Sequence, residues 1–272
     1  MIVFPNCKIN VGLRITGKRP DGYHNIETIF YPVWLSDALE FVIPDQSAGV
    51  DILTVTGIDT GSLPENNLVI KAIARLREKQ KFPFLKIHLH KAIPVGAGLG
   101  GGSSDAACVL KVLTKYFRLN ITDEEIKALA LELGSDCPFF IDCAPSLATG
   151  RGEILTPVKE VLAGYYMVLL NPGVAINTAE AYRNCKANPS ASSLKQLIEL
   201  PVTEWKGLVL NDFEDFAFRK HPVIGHIKDD LYKSHAIFSL MSGSGSSVYG
   251  IFREKPELDQ DLTKFIIWQG LI

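Results

Sequence analysis

The chain has 272 residues, 47% of them hydrophobic, which is enough to bury a full-sized core in one large or two smaller domains. A formal charge of -2 excludes the broad electrostatic attraction that nucleic acid or an anionic membrane exerts on a basic protein, so any anion is held by a local site. There is no run of about eighteen apolar residues, and the opening "MIVFPNCKIN" lacks the basic, apolar, small-residue order of a secretory signal, which predicts a soluble cytoplasmic protein.

The first hundred residues read as β-rich, with "IVFPNCKINVGLRI", "HNIETIFYPVWL", "ALEFVIP" and "DILTVTG" carrying β-branched and aromatic residues between turn signals. "NNLVIKAIARLREKQ" has helical spacing and a basic last turn, predicting a helix over 67–79. "FLKIHLHKAIP" predicts a strand on which His88 and His90 share a face. Period two accounts for that pairing without a metal, since no third ligand is evident. "SSDAACVLKVLTKYF" and "TDEEIKALALELG" predict two helices, the second opened by a capping box of Thr122 and Glu125.

From "ATGRGEILTPV" onward a second unit is expected: a strand in "GYYMVLLNPG", a helix "NTAEAYRN" capped by Asn177, and a helix in "PVIGHIKDDLYKSHA". A strand, glycine turn and strand follow in "IFSLMSGSGSSVYGIF", and a last helix in "ELDQDLTKFIIWQ". Strands and helices mix without regular alternation, so the class is α+β, with domains over 1–154 and 155–272 and a cleft between them. Five cysteines without a C-x-x-C pair fit neither a disulfide framework nor a zinc site and predict free thiols.

The strongest chemical signal is "PVGAGLGGGSSDAA". Between a strand and a helix start, Pro94 opens a turn of Val95, Gly96, Ala97, Gly98, Leu99, Gly100, Gly101, Gly102, Ser103 and Ser104, where backbone N–H groups after the proline converge with a helix dipole, the arrangement that binds phosphate. It carries neither the lysine of a P-loop nor the glycine spacing of a dinucleotide fold. Asp105, in the first helical turn, satisfies the dipole. Lys8, within a strand, has two readings: a snorkelling side chain, or a cation that meets an anion, with Asn10 on the same face. Asp136 in "GSDCPFFI" sits among apolar residues, where an adjacent cation would offset its desolvation. Tyr23 and His24 follow the turn Pro20-Asp21-Gly22, and either begin a strand or form a platform for a planar base.

Taken in order, Lys8-x-Asn10, "DGYHNIETIF", "PVGAGLGGGSSDAA", "GSDCPFF" and "MSGSGSSVYG" closely resemble the GHMP kinase superfamily over nearly the whole chain. "DGYH" joined to "KIN" resembles the branch whose acceptor carries a cytidine diphosphate group. The resemblance implies an N-terminal ATP-binding domain like the second domain of ribosomal protein S5, and a ferredoxin-like C-terminal domain on the substrate side. It implies ATP and Mg2+ as cofactors, a small-molecule substrate, no nucleic-acid or membrane partner, and a monomer or homodimer. By the same resemblance Asp136 is the catalytic base and Lys8 the cation that keeps it ionised. Asn10 holds the acceptor end, Asn67 lies near adenine, and Tyr23, His24, Thr178 and Tyr182 serve the cytidine. No acidic magnesium ligand beyond Asp136 is evident. Ala97 stands where relatives often have glycine, which is mild if its φ is negative, and Cys7 precedes the lysine where others carry alanine.

Overall fold

Thirteen residues of mixed apolar and polar character follow the short strand β1 (Ile2–Val3) to make β2 (Asn6–Lys18), and "HNIETIFYPVWLS" makes the equally long β3 (His24–Ser36). The computed structural model describes residues 1–46, 49–61, 63–185, 187 and 193–272. β4 (Ala38–Val42) and β5 (Ile52–Gly57) precede α1 (Leu68–Lys79), which begins where expected because the Asn67 side chain accepts from Val69 N. After β6 (Lys86–Lys91) the glycine loop leads into α2 (Gly101–Tyr116), which starts two residues earlier than "SSDAA" implied. α3 (Asp123–Leu133) opens on the expected capping box, with Thr122 and Glu125 each bonding the other's backbone N–H. The short α4 (Cys137–Asp142) begins directly after Asp136.

β7 (Ser146–Thr149), β8 (Ile154–Pro157) and β9 (Tyr166–Leu170) come next, followed by α5 (Thr178–Asn184), capped by Asn177 as expected. α6 (Leu194–Leu197), α7 (Glu214–Lys220) and α8 (Pro222–Lys233) lead to the hairpin of β10 (Phe238–Met241) and β11 (Val248–Phe252). The helix expected in "ELDQDLTKFIIWQ" is corrected: only α9 (Gln260–Thr263) is helical, and Ile266–Leu271 forms β12, antiparallel to β9. Two adjacent isoleucines and a tryptophan fit a pleated surface better than a helix, and pairing with a central strand decides the outcome.

The chain divides into two compact units. The first comprises Met1–Cys7, Trp34–Val95 and Gly100–Ala144. Its sheet has the order β1-β4-β6-β5, with only β5 and β6 parallel. α2 packs against α1, α3 and α4 in this unit, and its face of Val109, Leu110 and Leu113 is fully buried. The second unit comprises Lys8–Val33, Gly96–Leu99 and Pro145–Ile272. It holds the sheets β2-β3-β7-β8 and β10-β11-β9-β12. Its core joins Val168 and Leu170 to Phe213, Phe216, Ile224, Ile227 and Leu231 from the region of α7 and α8. The architecture is α+β, as the mixed element order requires.

Because Leu110 is fully buried in the helix that carries the glycine loop, Leu110→Ala is expected to cost about 3 kcal/mol in a denaturant titration. A loss below about 1 kcal/mol would contradict the packing described.

Candidate functional site

Glycine is required in the loop by backbone geometry. Gly96, Gly98 and Gly100 all have left-handed φ, at +65°, +79° and +70°. At Gly98 there is a second reason, since a Cβ would lie 1.9 Å from the backbone oxygen of Ser242. The alternation of these glycines with Ala97 and Leu99, both buried, turns successive peptide units and delivers the chain to α2, whose N-cap is Gly100. Ala97 does not have positive φ, so its side chain is accommodated there.

Within the second unit, the loop residues Gly96–Leu99 are stitched to strand β2 and to the turn between β10 and β11. Lys8 N donates to Leu99 O at 3.0 Å, and Lys8 Nζ donates to Gly98 O at 3.1 Å and to Asn10 Oδ1 at 2.5 Å. The ammonium also lies 4.7 Å from the centroid of the Phe30 ring, a favourable place for a buried cation. Asn10 is committed on every side: its Nδ2 donates to Thr28 Oγ1, its N to Ser242 Oγ and its carbonyl accepts from Tyr249 Oη. Lys8 and Asn10 are both buried, so the snorkelling reading of Lys8 does not hold.

The glycine turn "SGSGSS", expected between two strands, closes the network. Ser242 Oγ donates to Gly98 O at 2.9 Å, and Ser247 N donates to Ala97 O at 3.2 Å. Asn211, which sequence reasoning missed, donates to Met241 O and Gly243 O and fixes the turn from beneath. The signal available was a pair of polar residues, Asn211 and Asp212, inside the otherwise apolar run "LVLNDF". Thr178 Oγ1 is 3.0 Å from Ser244 Oγ, which ties the start of α5 to the same turn.

An aromatic platform lies in this unit too. The rings of His24 and Tyr182 stack with centroids 5.0 Å apart and planes 16° from parallel, and Tyr182 meets Phe213 edge-on. Tyr23 is exposed, and the Arg151 guanidinium sits 5.0 Å over its ring. Nothing in the sequence singled out Arg151.

The first unit holds the other expected residues. Ser103 is half-buried and Ser104 buried in the first turn of α2, and the half-buried Asn67 caps α1. Asp136 is half-buried at the start of α4, with helical backbone and no side-chain capping bond. The adjacent Cys137 thiol is pushed up to about 11 by burial, against a hydrogen bond from Ser103, with the Asp136 carboxylate adding to the rise. All five cysteines are free, with Cys7 and Cys137 buried and the other three half-buried. His88 and His90 share a strand face as expected, and both ring nitrogens meet the Thr56 hydroxyl.

Two family models match the chain: the N-terminal domain of GHMP kinases over residues 67–149 and the C-terminal domain of GHMP kinases over 194–266. A 4-diphosphocytidyl-2-C-methyl-D-erythritol kinase of Parabacteroides distasonis is 50% identical over 99% of each chain. The kinase of the same name from Bacteroides thetaiotaomicron is 48% identical over 95% of this chain and 96% of that one. The crystal structure of a 4-(cytidine 5'-diphospho)-2C-methyl-D-erythritol kinase superposes with a TM-score of 0.77 at 31% identity, covering 92% of this chain and 90% of the other.

The environments of two loop glycines give a direct contrast. Gly98→Ala meets both left-handed strain and the Ser242 carbonyl and is expected to cost about 3 kcal/mol or more, whereas Gly96→Ala, with open space around it, costs about 1 kcal/mol. Thermal unfolding of the two variants measures the difference, and equal losses would contradict the close approach at Gly98.

Proposed function

Because the chain belongs to the GHMP kinases, we propose that it transfers the γ-phosphoryl group of ATP to the 2-hydroxyl of 4-diphosphocytidyl-2-C-methyl-D-erythritol, a step in non-mevalonate synthesis of isoprenoid precursors. Half-identity to a kinase of that name over the full chain supports the choice of acceptor. The observation that carries the reading is the bond from Lys8 Nζ to the carbonyl of Gly98. It fixes a buried ammonium on the glycine loop itself, which explains how a phosphate loop works without a lysine of its own.

In this reading Pro94 opens the loop, and the N–H groups of residues 95–103 with the N-terminus of α2 hold the nucleotide phosphates, with Asn67 at the adenine end. Asp136 takes the proton of the acceptor hydroxyl as its oxygen bonds to the γ-phosphorus and the bond to the departing ADP breaks. Lys8 neutralises charge around that oxygen, where positioning and electrostatics matter more than covalent chemistry. Asn10, whose side chain is bonded to Lys8 and Thr28, serves the acceptor end by holding the ammonium in place. His24 and Tyr182, already stacked, give the cytosine a flat platform, with Tyr23 as the second aromatic and Thr178 at its edge.

Magnesium fits as an ion carried mainly by the nucleotide. Among the described residues no group of three His, Cys, Asp or Glu is placed to hold a metal, and Mg2+ ordinarily keeps phosphate and water ligands. Ser104 is the hydroxyl we assign to it, and the ion would supply charge screening of the triphosphate. The matched family segments fall on either side of residues 154 and 155, and we propose that division for the nucleotide-side and substrate-side family domains, although the compact units depart from it by grouping Lys8–Val33 and Gly96–Leu99 with the C-terminal segment. No described helix is long and apolar enough to cross a membrane, and we propose a cytoplasmic monomer or homodimer that acts on a small molecule and not on nucleic acid.

Mass spectrometry after incubation with ATP, magnesium and the acceptor is expected to show a product heavier by one phosphoryl group. Asp136→Asn and Lys8→Ala are each expected to lower kcat by roughly 10²–10⁴-fold with an unchanged circular dichroism spectrum. Tyr23→Ala instead raises the acceptor KM by about tenfold, and CMP competes with the acceptor. Near-native turnover of Asp136→Asn would refute the base assignment, and phosphorylation of homoserine or mevalonate in place of this acceptor would refute the substrate.

A further inference from the structure

At the start of α2, in the first unit, lies a buried ion cluster that the reaction does not use directly. Lys91 ends β6, Asp37 joins β3 to β4, and Asp105 lies one turn into α2, all three almost fully buried. Lys91 Nζ donates to Asp37 Oδ2 and, at 2.8 Å, to Asp105 Oδ2. The other oxygen of Asp37 accepts from Ala92 N at 2.6 Å and Ile93 N at 2.9 Å. Asp37 N in turn donates to Pro5 O, so the aspartate is fixed by its own backbone. A Cβ on Gly101, the first residue of α2, would lie 2.8 Å from Ile93 Cγ2 and 3.3 Å from Lys91 Nζ, so the helix start rests directly on the same two residues.

These bonds close a ring. One ammonium joins the residue before the loop to a carboxylate in the helix after it, fourteen positions along, and Asp37 pins the two backbone N–H groups between. Pro94 to Gly100 runs between these fixed ends, with Gly96–Leu99 also held by the bonds to β2 and the β10–β11 turn described above. Three of those seven residues are glycines in left-handed conformation, the part of the chain with most freedom to lose on ordering. Buried ion clusters are costly to assemble, and replacing them with apolar residues is often harmless to stability, so an unusual cluster at this place calls for a role other than stability.

We propose that Lys91, Asp37 and Asp105 are positioning residues for the nucleotide: a buried clasp that fixes both ends of the glycine loop and so preorganises its N–H groups, without touching the ligand. The proposal rests on the nucleotide reading of the loop given above. Preorganisation acts on binding by removing an ordering cost that the ligand would otherwise offset. Burial works against the Lys91 ammonium, yet Asp105 and Asp37 outweigh it and raise its pKa, so the clasp keeps its central charge. Burial lifts the Asp105 carboxyl, with Lys91 pulling it back and Asp37 adding to the rise. Asp105→Asn keeps an acceptor oxygen for Lys91 and is the conservative replacement at this position.

Two measurements on the full chain test the clasp. Hydrogen exchange without ligand is expected to be about tenfold faster at the amides of residues 95–104 in Lys91→Met and Asp105→Ala, with the β9–β11 strands unchanged. Steady-state kinetics of the same variants are expected to give an ATP KM raised by about tenfold and an acceptor KM within about twofold of the parent, with Asp105→Asn close to the parent in both measurements. Should Lys91→Met not fold, the pair Asp105→Ala and Asp105→Asn carries the comparison. Loop exchange unchanged in a folded Asp105→Ala or Lys91→Met would overturn the proposal, as would ATP and acceptor KM rising together. Failure of the parent protein to bind ATP would remove the nucleotide reading instead, and the exchange rates, which need no ligand, would still decide whether the clasp holds the loop.

Discussion

Much of the site depends on one close approach: the backbone of Gly98 against the backbone of Ser242. No side chain fits between them, and the left-handed φ of Gly98 is one that residues with a Cβ seldom adopt. The carbonyl that this conformation turns outward accepts from both Lys8 and Ser242. One peptide oxygen thereby sets the position of the cation and of the turn between β10 and β11, and the turn reaches Thr178 at the head of α5. The glycine loop is thus the hub for groups assigned to phosphate, to acceptor and to cytidine.

This arrangement divides labour in a way that a lysine within the loop would not. Backbone N–H groups provide donors of fixed direction, while the ammonium comes from a long strand with its own hydrogen bonds. Asn10 is engaged in internal bonds, and its side chain orients the Lys8 ammonium against Thr28. At the start of α2 the Lys91 cluster plays the corresponding part for the backbone.

What was legible in the sequence is what depends on neighbours along the chain. The capping box at Thr122, the Asn177 cap and the strand, turn and strand around "SGSG" are local signals, and they form as read. The last helix was misread because the polar, helix-like "ELDQDLTK" runs directly into "FIIWQ", and a β9 partner about a hundred residues away decides that segment. Asn211 and the Asp37–Lys91 pair escaped notice for the same reason, since their partners lie thirty to fifty-four residues away along the chain. The resemblance to a kinase family supplied the roles proposed for Lys8, Asp136 and the aromatic residues. It did not reveal that Asn10 is consumed by Lys8 and Thr28, or that His24 stacks on Tyr182.

The central claim is that nucleotide phosphates are held by the backbone of this loop. Two-dimensional amide NMR of the uniformly labelled protein, titrated with a non-hydrolysable ATP analogue and magnesium, tests it most directly. The account predicts that the largest shifts fall on the N–H groups of Gly96, Gly98 and Gly100 to Ser104. Saturable binding that leaves those amides unmoved, while shifts gather elsewhere in the chain, would contradict it.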